Sequence, residues 1–224
     1  FSDLKKISNV KENIYNSMIN SVDFYDAVEG SFTTTFIRAG EDVTIDFKVD
    51  IPQQVAIESV SGSIENLRSV CMDEMLYSYN ASNDDYIECY YASQLDSSER
   101  SVKLDYNACL PHAQKMAFFD GEKAIYDRVV TMADGERGYY YRPDITNTAY
   151  ASQCIFPQSL GMALLPDMDN WEISGVRQCL GRQAVVISGA VTDPDYAKKI
   201  SSDSFEMTVD MGTGVLLEFK GFSG

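Results

Sequence analysis

The sequence predicts a mainly β protein of the α+β kind, an antiparallel meander carrying a few helices, and three observations predict it. Short segments alternate apolar and polar residues at period two, turn residues separate them at hairpin spacing, and no long helical runs alternate with the strands. The last point sets aside a doubly wound α/β fold.

The first segment reads as a helix over 3–20. Leu4, Ile7, Ile14 and Met18 fall on one stripe with Lys5, Lys6, Lys11, Glu12 and Asn13 between them, and Ser2 and Asp3 suit a cap and first turn. A one-sided helix is marginal alone, so it needs a surface to lie on. The strands supply one. In 43–50, Val43, Ile45, Phe47 and Val49 alternate with Thr44, Asp46, Lys48 and Asp50. Residues 31–38 put Phe32, Thr34 and Phe36 on one face, and Ala39-Gly40-Glu41-Asp42 supplies turn chemistry, so the two segments form a hairpin that Pro52 ends.

Val55, Ile57 and Val60 indicate a further strand, as does 86–91, whereas 63–76 fits neither period and is open to helix or strand. Beyond it, 101–106 is a short strand, 115–119 meets 123–130 through Asp120-Gly121, and Ala133-Asp134-Gly135 turns the chain into 138–142. Pro157 starts a short apolar helix through Leu160, Met162, Leu164 and Leu165, stopped before Pro166. Residues 171–179 and 182–191 pair through Leu180-Gly181. Phe205, Met207 and Val209 then alternate with Ser204, Glu206, Thr208 and Asp210, and Gly212-Thr213-Gly214 turns into Val215, Leu217 and Phe219.

Charge narrows the function. Lys plus Arg is 18 against Asp plus Glu 34, a net charge of −16 that repels phosphate backbones and anionic headgroups, so nucleic acid is not an expected partner. The 224 residues are enough for one large domain or two small ones with a real core. Hydrophobic residues at 45% and aromatics at 12% exclude a disordered acidic tail. No run approaches the roughly 18 apolar residues of a membrane span, so the chain reads as soluble. It begins at Phe1 rather than Met, as a processed product or an excised piece does, and any export signal or lipid anchor is expected upstream of this numbering.

The five cysteines (Cys71, Cys89, Cys109, Cys154, Cys179) are scattered without a zinc spacing, and their odd number leaves one thiol unpaired in the monomer. Buried reduced thiols and one or two disulfides in an exported protein both remain open. The one histidine, His112, follows Cys109 by three residues with Pro111 between them, a spacing that makes productive contact poor, and the pair is expected to do no chemistry. G-x-S-x-G, H-E-x-x-H and phosphate-cradling Gly loops are absent. In the stretch that runs from Asp167 to Glu172, oxygen ligands alternate as in a calcium loop. Glu172 stands where such a loop needs Gly and Gln178 takes its twelfth place, so a solvated connector is expected. Asn80-Ala81-Ser82 fits a glycosylation sequon. No metal, cofactor or catalytic residue is expected, and the residues alone favour a binding domain over an enzyme.

The tail carries a resemblance. A Trp-initiated strand ("WEISGV"), a short turn, a strand opening Gly-Arg-x-Ala ("GRQAVVISGAV") and then "FEMTVDMGTGVLLEFKGF" resemble the bacterial LolA, LppX and RseB-like superfamily, with Asp210, Thr213 and Gly214 at its turn positions. "FFDGEKAIYDR" resembles its central Asp-Gly hairpin, and "FPQSLGMALLPDMDNW" the helix before its Trp strand; together these pieces cover 118–219. The amino-terminal helix and first hairpin agree in order, and 53–98 matches no piece of the pattern. The resemblance implies a single domain over 1–224: a curved, unclosed antiparallel β half-barrel of eight or more strands, covered by the amino-terminal helix and the helix around 159–165. Relatives usually add another strand after the position of "FKGF", so a truncation at the carboxyl end, or a longer parent chain, is expected.

It further implies an apolar cavity for acyl chains or lipidated segments. Phe36, Phe47, Tyr126, Tyr140, Leu160, Leu164 and Met207 are the candidates to line it, although each is also what a plain core would use. The expected function is non-enzymatic, extracytoplasmic binding of an acyl chain, a lipid or a lipidated protein, with membrane anchoring through an upstream segment. The alternative is an envelope-stress sensor or regulatory domain that contacts a membrane-bound signalling protein. A hydrolase with carboxylates on separate strands is a remote third reading.

Overall fold

The computed structural model describes residues 2–36, 40–62, 66–73, 75–90, 128–131, 137–139, 141 and 144–224. The described residues are mainly β, their sheets are antiparallel and none closes on itself, and a few helices accompany them. The chain forms two compact units. One contains Phe1–Phe24, Asp105–Pro143 and Phe156–Gly224; the other contains Tyr25–Leu104 and Asp144–Ile155.

The second unit holds a six-stranded sheet in sequential order: β1 (Ala27–Phe36), β2 (Glu41–Asp50), β3 (Val55–Ser61), β4 (Asn66–Met72), β5 (Met75–Asn80) and β6 (Asp85–Tyr90). The expected first hairpin is present, with Phe32 opposite Ile45 and Phe36 opposite Glu41. Val43, Ile45 and Val49 are buried while Asp46 and Lys48 face water, as the alternation requires. The stretch that fits neither period resolves into β4 and the start of β5. Asp73, in the left-handed region at φ 48°, makes the reversal between them.

β3 is a strand as expected, and its inward face is Ala56, Glu58 and Val60, with Val55 and Ile57 only half-buried on the other. A buried glutamate sits in the middle of that inward face. A segment that includes α2 (Ser152–Ile155) lies on the same face, placing Ala151 and Ile155 in a cluster with Val49, Ala56 and Cys71. Tyr25 Oη donates to the Ile155 carbonyl at 2.8 Å.

The first unit holds α1 (Ser2–Ile19), the short ribbon β7 (Val129–Thr131) with β8 (Arg137–Tyr139), α3 (Gln158–Leu164), β9 (Trp171–Cys179), β10 (Arg182–Ala190), α4 (Pro194–Ile200), β11 (Ser204–Asp210) and β12 (Leu216–Phe222). The last four strands make a sheet of order β12-β11-β10-β9. Its inner face carries three cross-strand rows: Trp171–Gly189–Phe205–Gly221, Ile173–Ile187–Met207–Phe219 and Val176–Val185–Val209–Leu216. Two bulges keep these rows in step, one beside Val186 and Ile187 and one beside Thr208 and Val209. The second bulge turns Leu216, rather than Val215 and Leu217, toward the core with Phe219. Gly189 makes room for the first row, since a Cβ there would lie 2.6 Å from Trp171 Cβ.

Ile14, Tyr15, Met18 and Ile19 of α1 and Met162, Ala163 and Leu164 of α3 pack on this face, which gives the amphipathic helix its surface. The two helices approach closely at Gly161, where a Cβ would come within 2.9 Å of Ile19 Cγ2. α4 was not among the expected elements. Asp193 caps it by accepting from the amides of Asp195 and Tyr196, Pro194 opens it, and Lys198 and Lys199 fill its last turn. The strands expected at 101–106, 115–119 and most of 123–130, together with the Asp120-Gly121 turn, Cys109 and His112, lie outside the described residues.

Candidate functional site

The apolar face of the four-stranded sheet brings together three of the seven cavity candidates. Met207 and Leu164 are buried in one cluster with α1, and Leu160 packs against that cluster half-buried. Around them Val129, Tyr139, Met168, Ile173, Val191, Tyr196, Leu216 and Phe219 are also only partly covered. At the β9 end of its row Val176 is 63% exposed, although its cross-strand partner Val185 is buried. Among the described residues these apolar side chains form a half-buried rim around the buried cluster.

Phe47 belongs to the other unit. It stands opposite Gly30, whose missing Cβ leaves space for the ring at 3.0 Å, and its centroid is 6.2 Å from that of Phe32. Phe36 lies on β1 opposite Glu41; Tyr126 and Tyr140 lie outside the described residues.

Polar side chains fix these surfaces. Arg128, fully buried, donates to the Ile19 carbonyl at the end of α1 and, at 3.1 Å, to Gln158 Oε1 at the start of α3. α1 has no basic residue in its last turn, so Arg128 supplies the positive charge that a helix carboxyl end favours. Lys11 Nζ donates to the carbonyls of Met168 (2.6 Å) and Trp171 (2.5 Å) and sits 4.9 Å from the indole centroid, while Trp171 Nε1 donates to Leu165 O at 3.2 Å. Helix, connector and first strand are thereby tied at one point. Neither Arg128 nor Lys11 was singled out by sequence reasoning, since a basic residue shows no sign of the distant carbonyl it will meet.

In the second unit the Glu58 carboxylate, 2% exposed, accepts the backbone N–H groups of Ala149 (3.1 Å), Tyr150 (3.0 Å) and Ala151 (2.6 Å). Three amide donors replace the water that the buried charge loses. Burial pushes the Asp144 carboxyl above its ordinary range, against the opposing hydrogen bonds from Thr146. The Asp167 carboxylate is taken up by the amide of Asp169 and the side chain of Asn170, as in a local turn. Among the described residues no group of three His, Cys, Asp or Glu side chains is placed to hold a metal. Nor, among them, is any helix long and apolar enough to cross a membrane.

No family model matches the chain, and no curated protein matches it. Among solved structures, the chain is similar to the Mycobacterium tuberculosis lipoprotein LppX, with a TM-score of 0.41 and 8% identity over 94% of this chain and 85% of that one. It is also similar to LprF from Mycobacterium bovis, with a TM-score of 0.43 and 13% identity over 95% of this chain and 85% of that one.

Proposed function

We propose that this chain is a non-enzymatic binding domain for an acyl chain, a lipid or a lipidated protein, acting outside the cytoplasm. The observation that carries the reading is the rim of half-buried apolar side chains on the sheet face of the first unit, Leu160, Ile173, Leu216 and Phe219, around a fully buried Met207. An apolar margin of this kind gives an acyl chain a place to replace water, and each methylene buried contributes about 0.8 kcal/mol before the cost of ordering the chain. The tail motifs support the same reading, since they resemble a superfamily of lipoprotein carriers and envelope sensors.

The test is titration with a fluorescent fatty-acid analogue. The parent should bind at micromolar concentration, and Leu160→Trp should weaken binding without lowering thermal stability. If the probe never binds and organic extraction of the purified protein yields no lipid, the regulatory interaction domain takes the place of this reading.

A further inference from the structure

The turn between β9 and β10 is built against the usual preferences of a hairpin. Cys179 and Arg182 form its last pair, and the two loop residues Leu180 and Gly181 have φ values of 53° and 75°. A two-residue loop with both residues at positive φ matches the twist of the strands, and Asn or Gly is favoured in its first position. Here a bulky Leu occupies it, a conformation that costs an L-residue with a branched side chain. Leu180 recovers nothing by packing, since it is 81% exposed. Beside it, Met211 donates its amide to the Gln183 carbonyl at 3.0 Å and is 51% exposed. The same end of the sheet therefore holds two large apolar side chains out in water.

The two stretches that make this tip are poor in acidic residues. The protein carries −16 overall, yet residues 173–192 contain two arginines and no acidic residue, and 211–217 contain no charge at all. Both arginines are neutralised within the sheet, Arg177 by Glu218 and Arg182 by the buried carboxylate of Asp210. What the β9–β10 turn itself projects is apolar, and the arginines of its two strands are paired. An acidic protein approaching a bilayer meets least repulsion by leading with such an end, and its exposed Leu and Met then enter the headgroup boundary.

We propose that the β9–β10 tip, with Leu180 at its apex and Met211 beside it, inserts shallowly into a zwitterionic lipid surface and orients the protein on it. This does not depend on the protein holding a lipid of its own. The contact is a weak and reversible one, because it buries two side chains.

The test is co-flotation of the full chain with phosphatidylcholine vesicles, set beside vesicles that also contain phosphatidylglycerol. The parent should float with the zwitterionic vesicles and less with the anionic ones, and added salt should narrow the difference. Leu180→Asn should reduce the partition about fivefold, from the lost leucine side chain. Its melting temperature should stay level or rise, because Asn tolerates the left-handed turn position better than Leu. Leu180→Trp should retain binding and show blue-shifted emission that brominated lipid quenches, above the constant signal of the buried Trp171. Failure of the parent to float, equal flotation of the parent and Leu180→Asn, or no quenching in Leu180→Trp would overturn the proposal. A Leu180-dependent dimer without vesicles would overturn it too, by giving the tip to a second copy of the chain.

Discussion

Gly214 lies so close to the main chain of Ser17 that a Cβ added to it would stand 2.1 Å from the Ser17 carbonyl oxygen. The turn between β11 and β12 thus touches the backbone of α1 directly. Gly214 also has φ 76°, so its lack of a side chain is required twice. Gly214→Ala should lower stability by about 3 kcal/mol, since the contact is with backbone that cannot rotate away. Urea unfolding measures this, and a change under about 0.5 kcal/mol would show that α1 does not depend on the turn.

Glu58 makes a comparable link in the other unit. Replacing its carboxylate by the Glu58→Gln amide removes the charge and turns one acceptor into a donor, which faces donors. A loss of about 2 kcal/mol is expected, with faster hydrogen exchange at the amides of Ala149, Tyr150 and Ala151. Unchanged protection at all three would mean that the segment is held by its apolar contacts alone.

Asp210 gives a pH dependence of definite sign. Burial pushes its carboxyl up, but the Arg182 guanidinium and the amides of Gly212 (2.7 Å) and Thr213 (3.0 Å) outweigh this and hold it below the usual range. A depressed folded-state pKa means that the stabilisation is in place above the unfolded value of about 3.9 and is lost as the pH falls through the lower, folded-state value. Asp210→Asn should therefore cost about 2 kcal/mol at pH 7 and progressively less toward pH 2. Parallel stability curves for parent and variant across that range would contradict the assignment.

Burial pushes the Cys154 thiol up to about 12, which leaves almost no thiolate at pH 8. Native protein should therefore leave Cys154 unlabelled by iodoacetamide, while Cys179, half-buried at the last pair of an edge strand, is alkylated. Peptide mapping after labelling distinguishes them. Equal labelling of both without denaturant would show that the α2 segment opens readily.

The elements that the sequence made legible are those in which a single strand face or cap decides the outcome. The 43–50 strand, the Leu180-Gly181 reversal and the Pro157 helix could be located from periodicity and turn residues because their burial follows their own pattern. β3 could not be oriented in this way, because its buried Glu58 depends on amides some ninety residues ahead. β12 could be found but not phased, since a bulge shifts which residues face inward and a bulge leaves no mark in a period-two pattern. α4 had a readable signal in Asp193-Pro194, overlooked because its helix is short and nothing in it is buried. Leu164 and Met207 lie in the buried cluster and Leu160 packs against it. Whether an apolar face is filled by its own helices or shared with a ligand is decided by widths and packing, which residue type does not encode.

Native mass spectrometry of the freshly purified chain tests the binding reading most directly. A population heavier than the 25.0 kDa chain by the mass of one acyl-bearing molecule is expected, released as collision energy rises and restored by incubating the stripped protein with a long-chain fatty acid. A spectrum that shows the bare chain alone, before and after that incubation, would contradict it.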